Sequence, residues 1–365
     1  MLGHCAQCPY RKMKKIFIIA LILRLICLYL FRNVTNYDLQ SYLQVGELTS
    51  KGINIYPDIS NLHHPYFPFF LYFEAIAYRI GQIGLISQIS PILTIKLILI
   101  FFDLGINYLV YLLSKKDLKT AFLYAINPVT ILITTLHGQF DVIPVFFVLL
   151  TVYLLNEKQE LLSILSFSFA ILTKTWPILF IFPVIKRINN KKLMILIFLF
   201  PFLFGLIYVW LFKSSPLDIV ETLIYYQGLW GIWGPWVLLG KQGIFFQKLT
   251  TLIFLFSFFS YSYFNKNKNL IKNILNLLFF FFIFTTNFSI QYFTWIIPFL
   301  IIVKPKHYLF LILFISICLF SYYYFWLFCA GCKITPSWLV ITQKIIGFIL
   351  WLSFIKIGYL LKKIS

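Results

Sequence analysis

Long continuous apolar runs recur along the whole chain, and short polar or basic stretches separate them. The runs do not alternate apolar and polar residues as the strands of a membrane barrel would, so they favour helices. Crossing a bilayer takes about 20 apolar residues, and several runs are shorter, which indicates broken or re-entrant pieces. The pattern predicts an all-α, polytopic transmembrane protein with about 12 membrane segments, at residues 16–31, 91–113, 119–136, 140–155, 161–174, 176–185, 193–212, 247–264, 271–288, 292–303, 308–328 and 338–361.

Two longer polar stretches interrupt this pattern, at 32–90 and 213–246, and the first contains an aromatic run at 65–81. If 65–81 is an interfacial helix on the outer surface, 19 of the 31 lysines and arginines fall on the cytoplasmic side. If it spans the membrane, most later basic clusters fall outside, against the usual charge bias. We therefore predict one transmembrane helical domain over 1–365, with both ends cytoplasmic, the surface helix 65–81 in the first outer loop, and 213–246 as the second long outer loop.

Composition excludes a soluble protein. The chain is 61% hydrophobic and 12% charged, whereas a soluble domain is about half apolar and about a quarter charged. The net charge of +20 lies in short clusters between apolar runs rather than on a soluble face, so it indicates membrane orientation and no nucleic-acid partner. We expect a multi-pass protein of the plasma membrane or of an endoplasmic-reticulum-type membrane, surrounded by membrane lipids.

Four of the six cysteines form two Cys-x-x-Cys pairs, Cys5 with Cys8 and Cys329 with Cys332. A zinc site needs two more ligands near such a pair, and the sequence offers none. The second pair lies on the predicted outer side, where a disulfide is permitted.

The acidic residues and histidines fall mostly on the predicted outer side, which concentrates the groups capable of chemistry there. Asp38 follows the first segment, where a carboxylate can act as a general base for a hydroxyl group; a solvated loop acid is the alternative. His63 and His64 lie later in the same loop. A second cluster, His137-Gly138-Gln139-Phe140-Asp141, ends the apolar run that follows Asn127-Pro128. Burying such groups without partners is costly, which favours a functional cluster over a polar helix end.

Three further features allow two interpretations each. Lys174, within Thr173-Lys174-Thr175-Trp176-Pro177, can clamp a phosphate or extend to lipid head groups. The stretch that contains Gln291, Tyr292 and Trp295 is either an aromatic belt at the membrane interface or a surface for a ligand ring, and the aromatic loop 225–236 is equally ambiguous. Arg24 and Asp103 lie inside membrane segments, where a structural pair is the simpler expectation.

These pieces, in this order, resemble the GT-C superfamily of polyprenyl-phosphate-dependent glycosyltransferases, most closely the multi-pass mannosyltransferases of the glycolipid-anchor type and their prokaryotic relatives. The acid of the first outer loop corresponds to Asp38, and Gly52 to Pro57 and the aromatic stretch after Pro65 follow it. The matches then continue, in order, through Asn127-Pro128, His137–Asp141, Lys174–Pro177 and Gln291–Trp295.

The resemblance implies a GT-C-like fold and transfer of a hexose, with mannose as the expected sugar. The donor would be a polyprenyl (dolichyl) phosphate carrier, and the acceptor a glycan or glycolipid on the outer face. Asp38 would be the base and Asp141 an orienting or second acid, while Lys174, His137 and Gln291 lie near the phosphate. Gln139, Tyr292, Trp295 and His64 complete the expected substrate contacts.

The short outer loop around His137–Asp141 has one acid, Asp141, where metal-dependent members of that family have two. No metal ligand is therefore assigned and no cofactor is required, with a divalent metal as an unsupported alternative. The rival function is a multi-pass transporter or lipid flippase, which would use the same embedded polar groups to pass a solute. The absence of an internal repeat and the one-sided distribution of the acids favour the enzyme over the transporter.

Overall fold

A computed structural model describes residues 7–83, 90–226, 232–239, 246–265, 267–328 and 336–363. Over these residues the chain forms helices and short connections, and no β-strand occurs among them. The α-helices are α1 (Gln7–Leu30), α2 (Tyr37–Ser50), α3 (Ser60–His63), α4 (Phe70–Gln82), α5 (Pro91–Leu113), α6 (Leu118–Ala125), α7 (Pro128–Leu132), α8 (Val142–Asn156), α9 (Glu160–Thr173), α10 (Ile181–Ile185), α11 (Leu196–Phe212), α12 (Pro216–Tyr225), α13 (Trp236–Leu239), α14 (Gln247–Phe264), α15 (Leu270–Phe284), α16 (Phe293–Val303), α17 (Tyr308–Phe328) and α18 (Ser337–Lys363).

Four helical stretches are long and apolar enough to cross a membrane: Pro91–Leu113, Lys191–Phe212, Tyr308–Phe325 and Ser337–Lys362. A fifth arises if the pair α6 and Pro128–His137, bent by 41°, counts as one span. Shorter apolar helices of 10 to 17 residues include α8, α9 and α15. The described residues are therefore all-helical with four or five candidate apolar spans, and the number of twelve membrane segments stays a prediction.

Helix starts follow local capping chemistry that can be read from the sequence. The Asn127 side chain accepts hydrogen bonds from the amides of Val129 and Thr130, and Pro128 occupies the first turn of α7. Asn127-Pro128 thus begins a helix, which is a structural role. Ser215 and Asp218 form a reciprocal capping box at the start of α12, inside the predicted second outer loop.

The first polar stretch is more helical than the sequence pattern indicates. The part of this stretch before residue 65 contains α2, a helix of 14 residues, where the sequence pattern indicates only a loop. Leu39, Tyr42, Val45, Gly46 and Thr49 are buried at spacings of three and four, so one face of α2 is apolar although the helix as a whole is polar.

The predicted surface helix 65–81 begins later than expected, because α4 starts at Phe70. Pro65 and Pro68 precede it, and proline lacks an amide proton and keeps the residue before it extended. With 13 residues, α4 is too short to cross the hydrocarbon core by itself. It packs against α2 at Gly46, where a Cβ would lie only 2.5 Å from the backbone oxygen of Glu74. Glycine is therefore required for this close approach.

The chain divides into two compact units with separate cores. Unit 1 comprises Met1–Ile178 and Arg187–Tyr226, and unit 2 comprises Leu179–Lys186 and Gln227–Ser365. The core of unit 1 includes Met13, Ala20, Ile100 and Ala121 where α1, α5 and α6 meet. In unit 2, aromatic rings form the core, among them Trp233 stacked on Phe288 with ring centroids 4.3 Å apart.

Arg24 and Asp103 pair inside unit 1, as the sequence predicts. The Arg24 Nε donates to Asp103 Oδ2 at 2.5 Å, and Nη1 donates to the carbonyl oxygens of Ala20 and Ala125 at 3.0 Å. The Tyr124 hydroxyl donates to the other oxygen of Asp103 at 2.5 Å. Both charged side chains are fully buried. This network joins α1, α5 and α6, and it accounts for both charges structurally.

Candidate functional site

Asp38 and His137 meet in unit 1, although 99 residues separate them in the chain. Asp38 lies in the first turn of α2 with its side chain 39% exposed, and its Oδ2 is 3.1 Å from Nε2 of the nearly buried His137. Asn36 holds Asp38 and His137 in position through two hydrogen bonds. Its Oδ1 accepts from the amide of Leu39 at 2.9 Å and caps α2, while its Nδ2 donates to the His137 carbonyl at 2.8 Å. One residue thus ties the helix of the carboxylate to the backbone of the imidazole.

A local departure from α-helical geometry directs His137 toward this contact. Residues Ile133–His137 form one π-helical turn, a widened turn that is frequent at functional sites. Gly138 follows in the left-handed conformation with φ of 75°, and its amide and that of Gln139 both donate to the Ile133 carbonyl. The chain therefore ends its helix and reverses direction within two residues of His137.

We expect Gly138→Ala to destabilise unit 1. Left-handed backbone costs a residue with a Cβ about 1–2 kcal/mol, and the new Cβ would lie 2.7 Å from Leu39 Cδ2. Leu39 is fully buried in the turn of α2 that carries Asp38, so its side chain has to repack against its neighbours to relieve the clash. Thermal unfolding in detergent would show the loss as a lower midpoint. Gly205→Ala is the matched control, because a Cβ there meets nothing within 4 Å; an equal drop in both variants would contradict the expectation.

Gln139 and Phe140 face a cage of aromatic side chains. The Tyr42 hydroxyl donates to Gln139 Oε1 at 3.1 Å. Phe140 stacks on Phe70 with centroids 4.1 Å apart and meets Tyr66 edge-on at 5.1 Å. All of these rings come from α2, α4 or the segment just before α4, so the first polar stretch packs directly over the second cluster.

Lys174 and Asp141 form a buried ion pair, with Nζ 2.8 Å from Oδ2 and side-chain exposures of 5% and 0%. The Lys174 ammonium also lies over the rings of Phe140 and Tyr66, at 4.8 and 5.1 Å from their centroids. A lysine held this way does not extend to lipid head groups, so that interpretation is wrong. The cation expected beside a phosphate is instead engaged by the second predicted acid.

Electrostatics keep Asp38 ionised. Burial by itself raises the pKa of Asp38, but a hydrogen bond and charge from His137 lower it. A hydrogen bond from Gln139 and the charge of Lys174 lower it further, so the pKa of Asp38 lies below its ordinary value of 3.8. Any stability that this carboxylate contributes is therefore present at neutral pH and is lost only as the pH falls below that value.

Three carboxyl groups lie near enough to Tyr42 to act on the pKa of its hydroxyl. Burial raises the pKa of the Tyr42 hydroxyl well above 10, and the nearby charges of Asp38, Glu74 and Asp141 raise it further. Tyr42 itself is 3% exposed. The site therefore gathers acids from α2, from α4 and from the turn before α8 around a neutral phenol that donates hydrogen bonds.

His64 is the predicted contact that points inward. It is fully buried, its Nε2 lies 3.3 Å from the Phe67 carbonyl, and its Nδ1 is 3.6 Å from Oε2 of the buried Glu74. Burial raises the pKa of Glu74, and His64 lowers it in part. His63, by contrast, is hydrogen-bonded to Ser41 Oγ through Nδ1 at 2.7 Å and stacks on Tyr37.

Gln291, Tyr292 and Trp295 belong to unit 2. Gln291 is 9% exposed and its Oε1 accepts a hydrogen bond from Ser289 Oγ. Tyr292 stacks on Trp295 at 4.2 Å, and Trp295 lies 5.1 Å from Phe281, so both rings pack within the unit. The Cys329–Cys332 pair, the Cys5 and Cys8 side chains and residues 227–231 of the loop 225–236 lie outside the described residues.

The sequence interpretation missed Lys96. This side chain of α5 is 1% exposed, and its Nζ donates to the Leu136 carbonyl at 3.4 Å, next to the turn that carries His137. A lone lysine inside the apolar run 91–113 was the available signal, because ionisable residues inside membrane segments commonly mark function. Asn36 was visible only as a polar residue two positions before Asp38, and Glu74 only as one of the acids on the predicted outer side.

Among the described residues, no three histidine, cysteine, aspartate or glutamate side chains converge in a way that could hold a metal ion. The groups that do converge pair a carboxyl group with a histidine or a lysine, which suits them to proton transfer and to stabilising charge. No protein-family model, curated protein or solved structure matches this chain.

Proposed function

We propose that this protein is a membrane glycosyltransferase of the GT-C type, with about twelve membrane segments. It would move a hexose, expected to be mannose, from a polyprenyl-phosphate carrier to a glycan or glycolipid hydroxyl on the extracytoplasmic side. The observation that carries the proposal is the Asp38–His137 contact at 3.1 Å beside the buried Lys174–Asp141 pair. The carboxyl groups of Asp38 and Asp141 both act on the buried Tyr42 hydroxyl, although they come from separate segments of unit 1.

The proposed sugar transfer needs few protein groups beyond the Asp38–His137 and Lys174–Asp141 pairs. The acceptor hydroxyl oxygen attacks the anomeric carbon and its proton passes to the Asp38 carboxylate, while the bond from that carbon to the phosphate oxygen breaks. The sugar inverts in this single displacement, and polyprenyl phosphate leaves with the bonding electron pair. A phosphate is a good leaving group, so a strong general acid, as in the two-carboxylate glycosidases, is not required.

The half-exposed position of Asp38 supports its role as the base. Its carboxylate is accessible to an acceptor, whereas Asp141 is fully buried and engaged by Lys174. In this proposal Lys174 and Asp141 hold the aromatic cage in place, and His137 both orients Asp38 and supplies a donor near developing charge. Gln291 stays a predicted contact with the phosphate of the donor.

The direct test is transfer by the purified protein in detergent or nanodiscs, from a synthetic short-chain polyprenyl-phosphate mannose to a membrane lipid extract. Radiolabelled product that depends on the protein is the expected result. No transfer from mannose, glucose or galactose carriers, together with solute or lipid movement across protein-containing vesicles, would replace the enzyme with the transporter.

The site should face the outside of the cell or the lumen. In a background stripped of native cysteines, an impermeant maleimide applied to intact cells should label Tyr225→Cys and leave Lys192→Cys unlabelled. Both side chains are exposed, so labelling reports the side of the membrane rather than burial. The physical reason is the basic cluster around 186–192, which favours the cytoplasmic side. The reverse labelling pattern would place the Asp38 site on the wrong side for this donor.

A further inference from the structure

Unit 2 carries an unbalanced charge that the proposed catalytic chemistry does not use. The last acidic residue of the chain is Glu221, so unit 2 contains 13 lysines and no aspartate or glutamate. A lysine of this unit therefore has no carboxylate side-chain partner within its own unit. Basic groups next to apolar helices commonly find their counter-ions in anionic lipids.

One cavity places such charge beside apolar surface. It has a volume of about 210 Å³ and lies between α17 and α18, lined by His307, Phe310, Ser353, Lys356 and Ile357. The two helices run antiparallel, since Gln343 near the start of α18 donates to the Ser321 carbonyl late in α17. The cavity therefore lies where α17 begins and α18 approaches its end.

The polar and apolar groups of the cavity match the two parts of a lipid. Phe310 and Ile357 offer a wall for an acyl chain, while Lys356, His307 and the Ser353 hydroxyl offer polar atoms for a head group. The Ser353 hydroxyl donates to the Ile349 carbonyl at 3.0 Å and keeps its lone pairs for a donor such as a glycerol hydroxyl. The start of α17 adds the partial positive charge of a helix N-terminus.

Among the described residues, neither the Lys356 ammonium nor the His307 ring has a hydrogen-bond or ion-pair partner, and both side chains are exposed. Both helices that form the cavity are long and apolar enough to cross a membrane, which favours lipid as their surroundings. The basic clusters at 304–306 and 362–363 predict that this end faces the cytoplasmic leaflet, which carries the anionic lipids.

We propose that this cavity, lined by His307, Phe310, Ser353, Lys356 and Ile357, binds one anionic phospholipid of the cytoplasmic leaflet, with its phosphate at Lys356 and an acyl chain against Phe310 and Ile357. The site is separate from the proposed transfer site of unit 1 and does not depend on it. Zwitterionic phospholipid would share the acyl contact but would lack the net negative charge that these residues favour.

The full-length protein is purified and placed in phosphatidylcholine nanodiscs with or without phosphatidylglycerol. It is then released from the nanodiscs for native mass spectrometry. We expect one phosphatidylglycerol to be retained in preference to phosphatidylcholine. Lys356→Gln should lower that retention about fivefold, the effect of one basic residue near an anionic head group. Lys344→Gln is the matched control, since Lys344 is an exposed lysine on the same helix, away from the cavity.

Ser353→Phe fills the cavity without changing any charge and should also reduce retention, which separates binding in the cavity from diffuse attraction. Equal retention of both lipids, or equal losses in Lys356→Gln and Lys344→Gln, would overturn the proposal. Displacement of the bound mass by inorganic phosphate would mean that the site takes free phosphate rather than a lipid, and would overturn it as well. Circular dichroism and elution volume confirm that each variant is folded.

Discussion

Asp38→Asn is expected to abolish sugar transfer while leaving expression and donor binding close to wild type. Asparagine keeps the shape of aspartate and can still accept from His137 Nε2, which lies 3.1 Å from the present carboxylate oxygen. It cannot take the proton of the acceptor hydroxyl. Positioned acid–base catalysis contributes about 10²–10⁴-fold in rate, so the loss of transfer should be on that scale. Initial rates from the short-chain donor would measure it.

Asp58→Asn is the control for this variant, since Asp58 is an exposed acid of the same polar stretch. It should transfer sugar at the wild-type rate. Because the pKa of Asp38 lies below 3.8, the wild-type rate should also show no titration of this base between neutral pH and that value. Wild-type turnover by Asp38→Asn would remove Asp38 as the base. If Asp141→Asn were then inactive yet folded, the base would move to the second cluster.

The second large effect is on stability. Lys174→Met should lower the free energy of unfolding by about 3–5 kcal/mol, because it leaves the fully buried Asp141 carboxylate without its charged partner. It also removes the ammonium from the faces of Phe140 and Tyr66. The double variant Lys174→Met with Asp141→Asn should lose less than the sum of the two single variants, since it leaves no unpaired charge. Denaturant titration in detergent micelles would report all three.

The Glu47–Lys51 pair provides the contrast. It joins two exposed side chains at 2.5 Å, four residues apart, at the C-terminal end of α2, where Lys51 is the residue that follows the helix. Lys51→Met should leave the unfolding midpoint unchanged within error, because exposed ion pairs are screened by solvent. The expectation would be contradicted if the two single-variant losses in free energy of unfolding simply added in the double variant. It would also be contradicted if Lys51→Met lost as much stability as Lys174→Met. Either result would show that the Lys174–Asp141 contact is not a buried coupled pair.

The concentration of acids and histidines, together with Lys174, on the predicted outer side of the membrane indicates a site, but it does not tell which of these residues meet. Asp38 and His137 are 99 residues apart, and Asp141 and Lys174 are 33 apart. Pairing at such separations depends on how helices pack, and no local pattern encodes it. For the same reason the sequence leaves Lys174 open to two roles, a phosphate clamp or a snorkelling side chain, whereas it is buried against Asp141.

Local physics accounts for what the sequence determined by itself. Apolar runs fixed the positions of the long helices, because a run of this kind satisfies its own backbone hydrogen bonds only as a helix. Capping by Asn127 and by Ser215 is equally local and sets the starts of α7 and α12, although the sequence interpretation did not identify these starts. The lone charges Arg24 and Asp103 in apolar segments were expected to pair, and they do. Tertiary structure alone decided that α2 is a helix with a buried face, that Lys96 lies behind the His137 turn, and that His64 faces Glu74. Each of these depends on which surfaces are covered by distant segments, and a polar stretch becomes an ordered helix only when another element buries one of its faces.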